Sequence, residues 1–315
     1  MLIDSAPGQT DRAGNSHDFT SARRAKSRAL VAMAAAAFLL SLMGVFAKLA
    51  SRHTAGAAPI PGSEIALMRY AAGVVGLLVI SRITPVNLLG FDRPGLILRG
   101  IAGGLAATAF FVGIQTTSLT HATLLNSTNV VWASLIAVFA LRERLKLISW
   151  TSIAAALVGV ALVTCPDLGH VQFGDAISLV SGVLAGLAIV QIRKLRRTES
   201  SFAIFFYFNL IGFPVALATI CLTHTAMVIP SAIQCLVLIG VGITSVGGQL
   251  LMTYGYKELP AAQGSLIILT SVLLSALLSH LLFQDSFTAA TIAGGILVLA
   301  GAVALSLQPH PPPVP

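Results

Sequence analysis

The chain has 315 residues, of which 56% are apolar and only 10% charged, with a net charge of +8 and a mean hydropathy of +0.89. A soluble domain carries roughly 25% charged residues, and a soluble globule of this size cannot hide so much apolar side chain, because much of any surface stays in water. Composition therefore excludes a cytosolic enzyme, a nucleic-acid binder and a disordered chain. It leaves a multi-spanning membrane protein whose basic balance reports topology rather than an anionic partner.

The chain opens with a polar segment, residues 1–28, read as a disordered cytoplasmic tail, with Arg23, Arg24, Lys26 and Arg28 just ahead of the first apolar run. That run is too long for a signal-peptide core and is followed by more of its kind, so it is expected to stay as an uncleaved first span. A helix crosses about 30 Å of hydrocarbon with about 20 residues. Cutting the chain at charged, Pro-rich and polar clusters gives ten spans: 29–50, 63–81, 95–115, 121–141, 148–165, 174–192, 201–222, 232–254, 260–282 and 288–307. Two stretches without Lys, Arg, Asp or Glu check the count. Ile101–Leu141 suits two hairpinned helices, and Ser200–Tyr256 suits two more with a longer loop. Barrel strands would be about ten residues long and alternate in polarity, which these runs do not. A short Pro-rich tail, 308–315, closes the chain and is expected to be a solvated stub.

With the N-terminus placed inside, sixteen of the nineteen Lys and Arg fall in the tail and inner loops, counting Arg82, Arg93 and Arg99 together around 82–99. Arg52 alone falls in an outer loop, while Lys48 and Arg69 sit inside spans. The bias predicts an inner-membrane protein with both termini cytoplasmic.

A shift of 142 residues places Gly113 on Gly255, Leu124 on Leu266, Thr128 on Thr270, Leu135 on Leu277 and Gly159 on Gly301. Glu143, after the fourth span, falls on Asp285, after the ninth. Five spans per copy is an odd number, so the second copy enters upside down. The fold expected is an all-α membrane protein of two inverted five-helix repeats, 29–165 and 174–307, an arrangement used by secondary transporters.

Several short motifs carry a family resemblance: Gly44 to Lys48 in span one, Arg69-Tyr70 in span two, Thr120 to Asn126 leading into span four, Leu141 to Leu145 after it, Gly248-Gln249 in span eight, and the Gly159/Gly301 pair. Over residues 29–307 the chain resembles the EamA-type branch of the drug/metabolite transporter superfamily. The resemblance implies a ten-helix exporter or exchanger of small metabolites. Where that family often has Ser-Pro early in spans four and nine, this chain has Asn129-Val130 and Ser271-Val272.

No motif of a metalloprotease, serine hydrolase, nucleotide-binding loop or paired-cysteine site is present. The chain is therefore not expected to be an enzyme, to carry a cofactor or to pump by itself. Ionisable side chains inside spans are costly and usually functional. Lys48, Glu64 and Arg69 are candidates for one polar cluster. Lys48 can also snorkel outward, and Arg69 either binds a substrate carboxylate or phosphate or pairs with Glu64 or a carbonyl. Asn126 and Asn129 share a helical face with Trp132 next along it, and are read as a cavity wall with Trp132 as a stacking surface. Gln249 is a lone amide among glycines that let a neighbour or ligand come close. Gln115, Tyr254, Tyr256 and Gln263 are expected as interfacial anchors. Gly100/Gly104 and the Ser271/Ser275/Ser279 stripe are expected as packing faces. Beyond Glu64 no carboxylate lies within a span, so a neutral, zwitterionic or anionic solute fits better than a polycation. Three cysteines, at 165, 221 and 235, lie near one membrane face; a Cys221–Cys235 bridge is conceivable, and buried free thiols are favoured.

The function expected is secondary transport of a small polar metabolite, such as an amino acid or a nucleoside- or sulfonium-like compound, by alternating access. The partners are that solute, the lipid bilayer, a coupling ion such as the proton, and a second copy through spans five and ten; nucleic acid is not one of them. The alternative is a flippase for a lipid or lipid-linked metabolite.

Overall fold

The computed structural model describes residues 10–51, 58–116, 125–141, 146–164, 173–283 and 289–306. Among them are ten long α-helices and no strand: α1 Thr10–Ala50, α2 Gly62–Ile83, α3 Arg93–Thr116, α4 Asn129–Ala140, α5 Leu147–Thr164, α6 Phe173–Leu195, α7 Ser201–Leu222, α8 Ala232–Gly255, α9 Ala261–Phe283 and α10 Ala289–Ser306. In lipid a helix satisfies its backbone within one segment, which is why long apolar runs take this form.

The helix ends follow local chemistry. Ser200 caps α7 by accepting from the Ala203 amide at 3.0 Å. Ser231 and Gln234 cap α8 reciprocally. Thr84 stops α2 in an extended conformation, as the residue before Pro85 must. Two expectations change here. The first helix starts at Thr10 rather than near residue 29, because residues 10–28 contain no proline and run into the span without a break. Span four, expected from 121, is not one even helix over its described residues. Residues 117–124 lie outside those described, and Thr128 forms a turn before α4 begins at Asn129.

Arg23–Ala50, Gly62–Ile83, Arg93–Gly113, Phe173–Leu195, Ser201–Leu222 and Ala232–Gly255 are long and apolar enough to cross a membrane. Their outward faces are apolar: Val75 and Val79 on α2, and Leu236, Ile239 and Ile243 on α8, are exposed. Surface of that kind suits lipid rather than water.

The helices interleave. α1 packs on α8 and α9, α2 on α7 and α8, α3 on α6 and α7, α4 on α6 and α9, and α5 on α10. Small residues set the closest approaches. Gly104 lies against the backbone of Gly212, and a methyl on Gly100 would reach Tyr207 O at 2.8 Å, so Gly100 and Gly104 are indeed the face that meets α7. Ser41 Oγ donates to Ser271 O at 2.9 Å, placing that part of the serine stripe on α1. The main buried cluster joins seven helices through Met33, Tyr70, Leu96, Ile192, Phe205, Phe208, Met252 and Ile267.

Tyr254 is exposed, as an interfacial residue would be, but Tyr256 and Gln263 are buried. The Tyr256 hydroxyl pairs with Ser265 Oγ at 3.1 Å, and burial pushes its phenol pKa up, so it stays neutral. Cys221 and Cys235 are free and exposed rather than buried. Cys165 and the loop positions Glu143 and Asp285 lie outside the described residues.

Candidate functional site

Where α2, α3 and α7 meet, two arginines are buried. Arg69 on α2 is 5% exposed and Arg99 on α3 is 3% exposed. Both guanidiniums sit on the ring of Phe208 from α7, Arg69 Cζ at 5.2 Å and Arg99 Cζ at 4.7 Å from its centroid. Arg69 also lies 5.3 Å from the Tyr70 ring. Such cation–π contacts recover part of the cost of burying a charge.

Tyr70 holds this group together. It is fully buried, meets Phe208 edge-on at 5.4 Å, and its hydroxyl donates to Gly104 O at 3.2 Å. Its ring occupies the space that a side chain at Gly212 would need. Next to Phe208 on α7, Asn209 is fully buried and donates through Nδ2 to Phe205 O at 2.7 Å. Arg69 Nε, Arg99 Nε, Arg99 Nη1 and Asn209 Oδ1 are buried with no hydrogen-bond partner. Among the described residues no carboxylate pairs with either arginine. A buried donor left unmade costs about 1–3 kcal/mol, more for a charged group.

The other candidates lie elsewhere. Glu64 is buried but does not reach Arg69; its Oε2 accepts the Val228 amide at 3.0 Å and so ties the start of α2 to the α7–α8 loop. Lys48 is half-buried in the last turn of α1. Asn126 donates to Ser181 Oγ at 2.7 Å, and Ser181 in turn donates to Ala106 O at 2.8 Å, while Asn129 donates to Asn126 O at 2.8 Å. Trp132 packs against Gly186 of α6, and its Nε1 has no partner. The asparagine cluster thus leans on one part of α3 through Ala106, and Tyr70 leans on another through Gly104. Gly248 beside Gln249 admits Leu39 and Leu40 of α1, so the glycine there serves helix packing; Gln249 Oε1 is unpartnered.

Arg99, Tyr70 as an anchor, Phe208 and Asn209 were not singled out from the sequence. Arg99 lies inside the span drawn at 95–115 yet near its inner end, where a basic residue counts equally well as a topological charge. The unusual run Phe205-Phe-Tyr-Phe208 was the available signal that a cation had an aromatic partner in wait.

A second carboxylate, Glu199, works at the start of α7. Its Oε1 accepts from the amides of Phe91 at 2.7 Å and Asp92 at 2.6 Å in the α2–α3 loop. Gly90 in the same loop has a φ of +62° and lies against Glu199, a conformation and a clearance that favour glycine. Among the described residues no group of His, Cys, Asp and Glu is placed to hold a metal.

Interleaved apolar helices around a charged, aromatic-lined interior define a multi-pass helical membrane protein. The chain belongs to the EamA-like transporter family, whose model matches residues 27–165 and again 172–307, and with it to the drug/metabolite transporter superfamily. It is 27% identical over 283 residues to the pseudopaline exporter CntI of Pseudomonas aeruginosa, covering 89% of this chain and 96% of that protein. It is 31% identical over 193 residues to an uncharacterized transporter of Helicobacter pylori, covering 59% of this chain and 65% of that one. With solute carrier family 35 member G1 of Mus musculus it shares 23% identity over 291 residues, covering 86% and 76%. A solved crystal structure superposes with a TM-score of 0.69 at 17% identity, over 91% of this chain and 97% of the other, which is a likeness of fold.

Proposed function

We propose that the chain is an inner-membrane secondary transporter, an exporter or exchanger of a small polar metabolite such as an amino acid or a nucleoside- or sulfonium-like compound. It works by alternating access between two inverted five-helix repeats, 29–165 and 174–307, with both termini cytoplasmic. The observation that carries this is the set of helix partners. Exchanging each helix for the one five places along turns α1–α8 into α6–α3, α1–α9 into α6–α4, α2–α8 into α7–α3, and α2–α3 into α7–α8. It leaves α2–α7, α4–α9 and α5–α10 unchanged, and every one of these pairs is in contact. Two copies of one unit related by a two-fold axis make such a pattern. The double match of the family model supports the same division.

The carboxylate contacts fit this mechanism. Glu64, at the start of α2, holds the loop after α7; Glu199, at the start of α7, holds the loop after α2. Each half thus clasps the other with its second helix, one clasp to each membrane face in the inverted arrangement. Releasing one clasp while the other stays closed lets the halves rock about the buried site. The exporter among the relatives makes outward movement the direction to test first.

The test is a thermal-shift screen of the detergent-purified chain against water-soluble metabolites, followed by counterflow in proteoliposomes. A ligand at 100 times its dissociation constant adds about 2.7 kcal/mol of stability. A metabolite that both stabilises the protein and exchanges across the vesicle supports the proposal, and Asn129→Ala then reports whether the α4 cluster lines the path. Stabilisation and movement of lipids alone would replace it with the flippase alternative.

A further inference from the structure

We propose that the junction of α2, α3 and α7 is the receptor for a negatively charged group of the substrate, a carboxylate or a phosphate held between Arg69 and Arg99. This rests on the transporter reading and narrows its substrate to small organic anions. Two like charges are brought to one aromatic ring inside the helical bundle, where a charge without a partner is costly. Among the described residues no carboxylate meets that cost. Glu64 is turned to Val228, Glu199 to Phe91 and Asp92, and Asp92 also caps its own helix through the Gly95 amide at 3.1 Å. The ring of Phe208 serves both cations, so neither guanidinium is farther from the other than the two ring distances together.

The donors match the proposed ligand. Three buried guanidinium nitrogens, Arg69 Nε, Arg99 Nε and Arg99 Nη1, have no acceptor. Arginine's planar fork suits carboxylate and phosphate oxygens, which accept two parallel hydrogen bonds. An anion between the two would satisfy those donors and reduce the buried positive charge at once. A neutral solute would do only the first, and the ammonium of a zwitterion would add a third cation beside the pair. Phe208 and Tyr70 form the apolar wall against which the carbon skeleton of such a solute packs.

The experiment follows thermal stability of the full-length protein in detergent at constant ionic strength. The probes are succinate, glutarate and inorganic phosphate, set against the neutral amides succinamide and glutaramide. At least one of the anions is expected to raise the melting temperature of the unaltered protein while its amide does not, and the succinate and phosphate arms separate carboxylate from phosphate recognition. In Arg69→Gln and Arg99→Gln the dissociation constant is expected to rise about tenfold or more, the scale of a lost charge-assisted hydrogen bond. Arg99→Lys keeps the charge and loses the fork, and is the variant to use where the glutamine substitutions do not fold. Equal shifts from acids and amides, no shift from any anion, or an anion response that survives in folded Gln variants would each overturn the proposal. A neutral metabolite that binds and exchanges would overturn this inference and leave the transporter reading standing. An anion that binds by way of both arginines but does not exchange in proteoliposomes would do the reverse.

Discussion

Gly212 shows how little freedom single residues have around the site. A methyl group there would fall 2.5 Å from the Tyr70 ring, which is itself pinned between Phe208 and Gly104 O. Gly212→Ala is therefore expected to cost about 1–3 kcal/mol by overpacking and to lower the melting temperature. At Gly76 the nearest atom to such a methyl is Val246 Cγ2 at 3.7 Å, so Gly76→Ala is expected to stay within about 1 kcal/mol of the parent. If both changes behave alike in the same thermal scan, Tyr70 is not the pin described. The sequence makes Arg69 visible because a charge within an apolar run is costly and needs a partner, whether ligand or protein. Arg99, six residues into α3, looks like a topological charge until α7 brings Phe208 beneath it.

Individual helices are legible from composition because the bilayer sets a length and demands apolar faces. The α7 cap at Ser200 and the end of α2 before Pro85 fall where short-range chemistry puts them. The turn at Thr128 is less legible, since the chain lacks the proline that would mark it, and polar side chains reorganise the backbone there: Thr128 Oγ1 donates to Leu125 O at 2.6 Å. Loops are where hydropathy says nothing. Glu199 reads as one more acidic residue in a basic inner turn, yet it gathers two amides from a loop more than a hundred residues away. Glu199→Ala is expected to cost about 1.5–3 kcal/mol, because two amides lose a charged acceptor. Amide exchange at Phe91 and Asp92 is the direct readout, and unchanged protection there would remove the clasp from the mechanism.

For the molecule as a whole, the charge bias and the proposed inverted order make a prediction about sidedness. Cys221 and Cys235, either side of the α7–α8 loop, are free and exposed, and the charge bias predicts that this loop lies outside. In a Cys165→Ser background, a membrane-impermeant maleimide is expected to label right-side-out vesicles at these thiols. A cysteine at Lys257 is expected to label only in inverted vesicles. The opposite result reverses the orientation.

Hydropathy, charge placement and the internal shift of 142 residues are one-dimensional signals, and they were sufficient for a helical membrane protein of transporter type. The bilayer imposes them on every span separately, so each can be read without knowing what the span touches. Which helix lies on which is decided by small residues and side-chain fit between segments far apart in the chain, as at Gly104 and Gly212. Only the tertiary structure therefore turns Glu64 toward Val228 instead of Arg69, and sets Arg99 beside Arg69 on one ring. A buried charge takes its role from its neighbours in space, and those neighbours come from α2, α3 and α7 together.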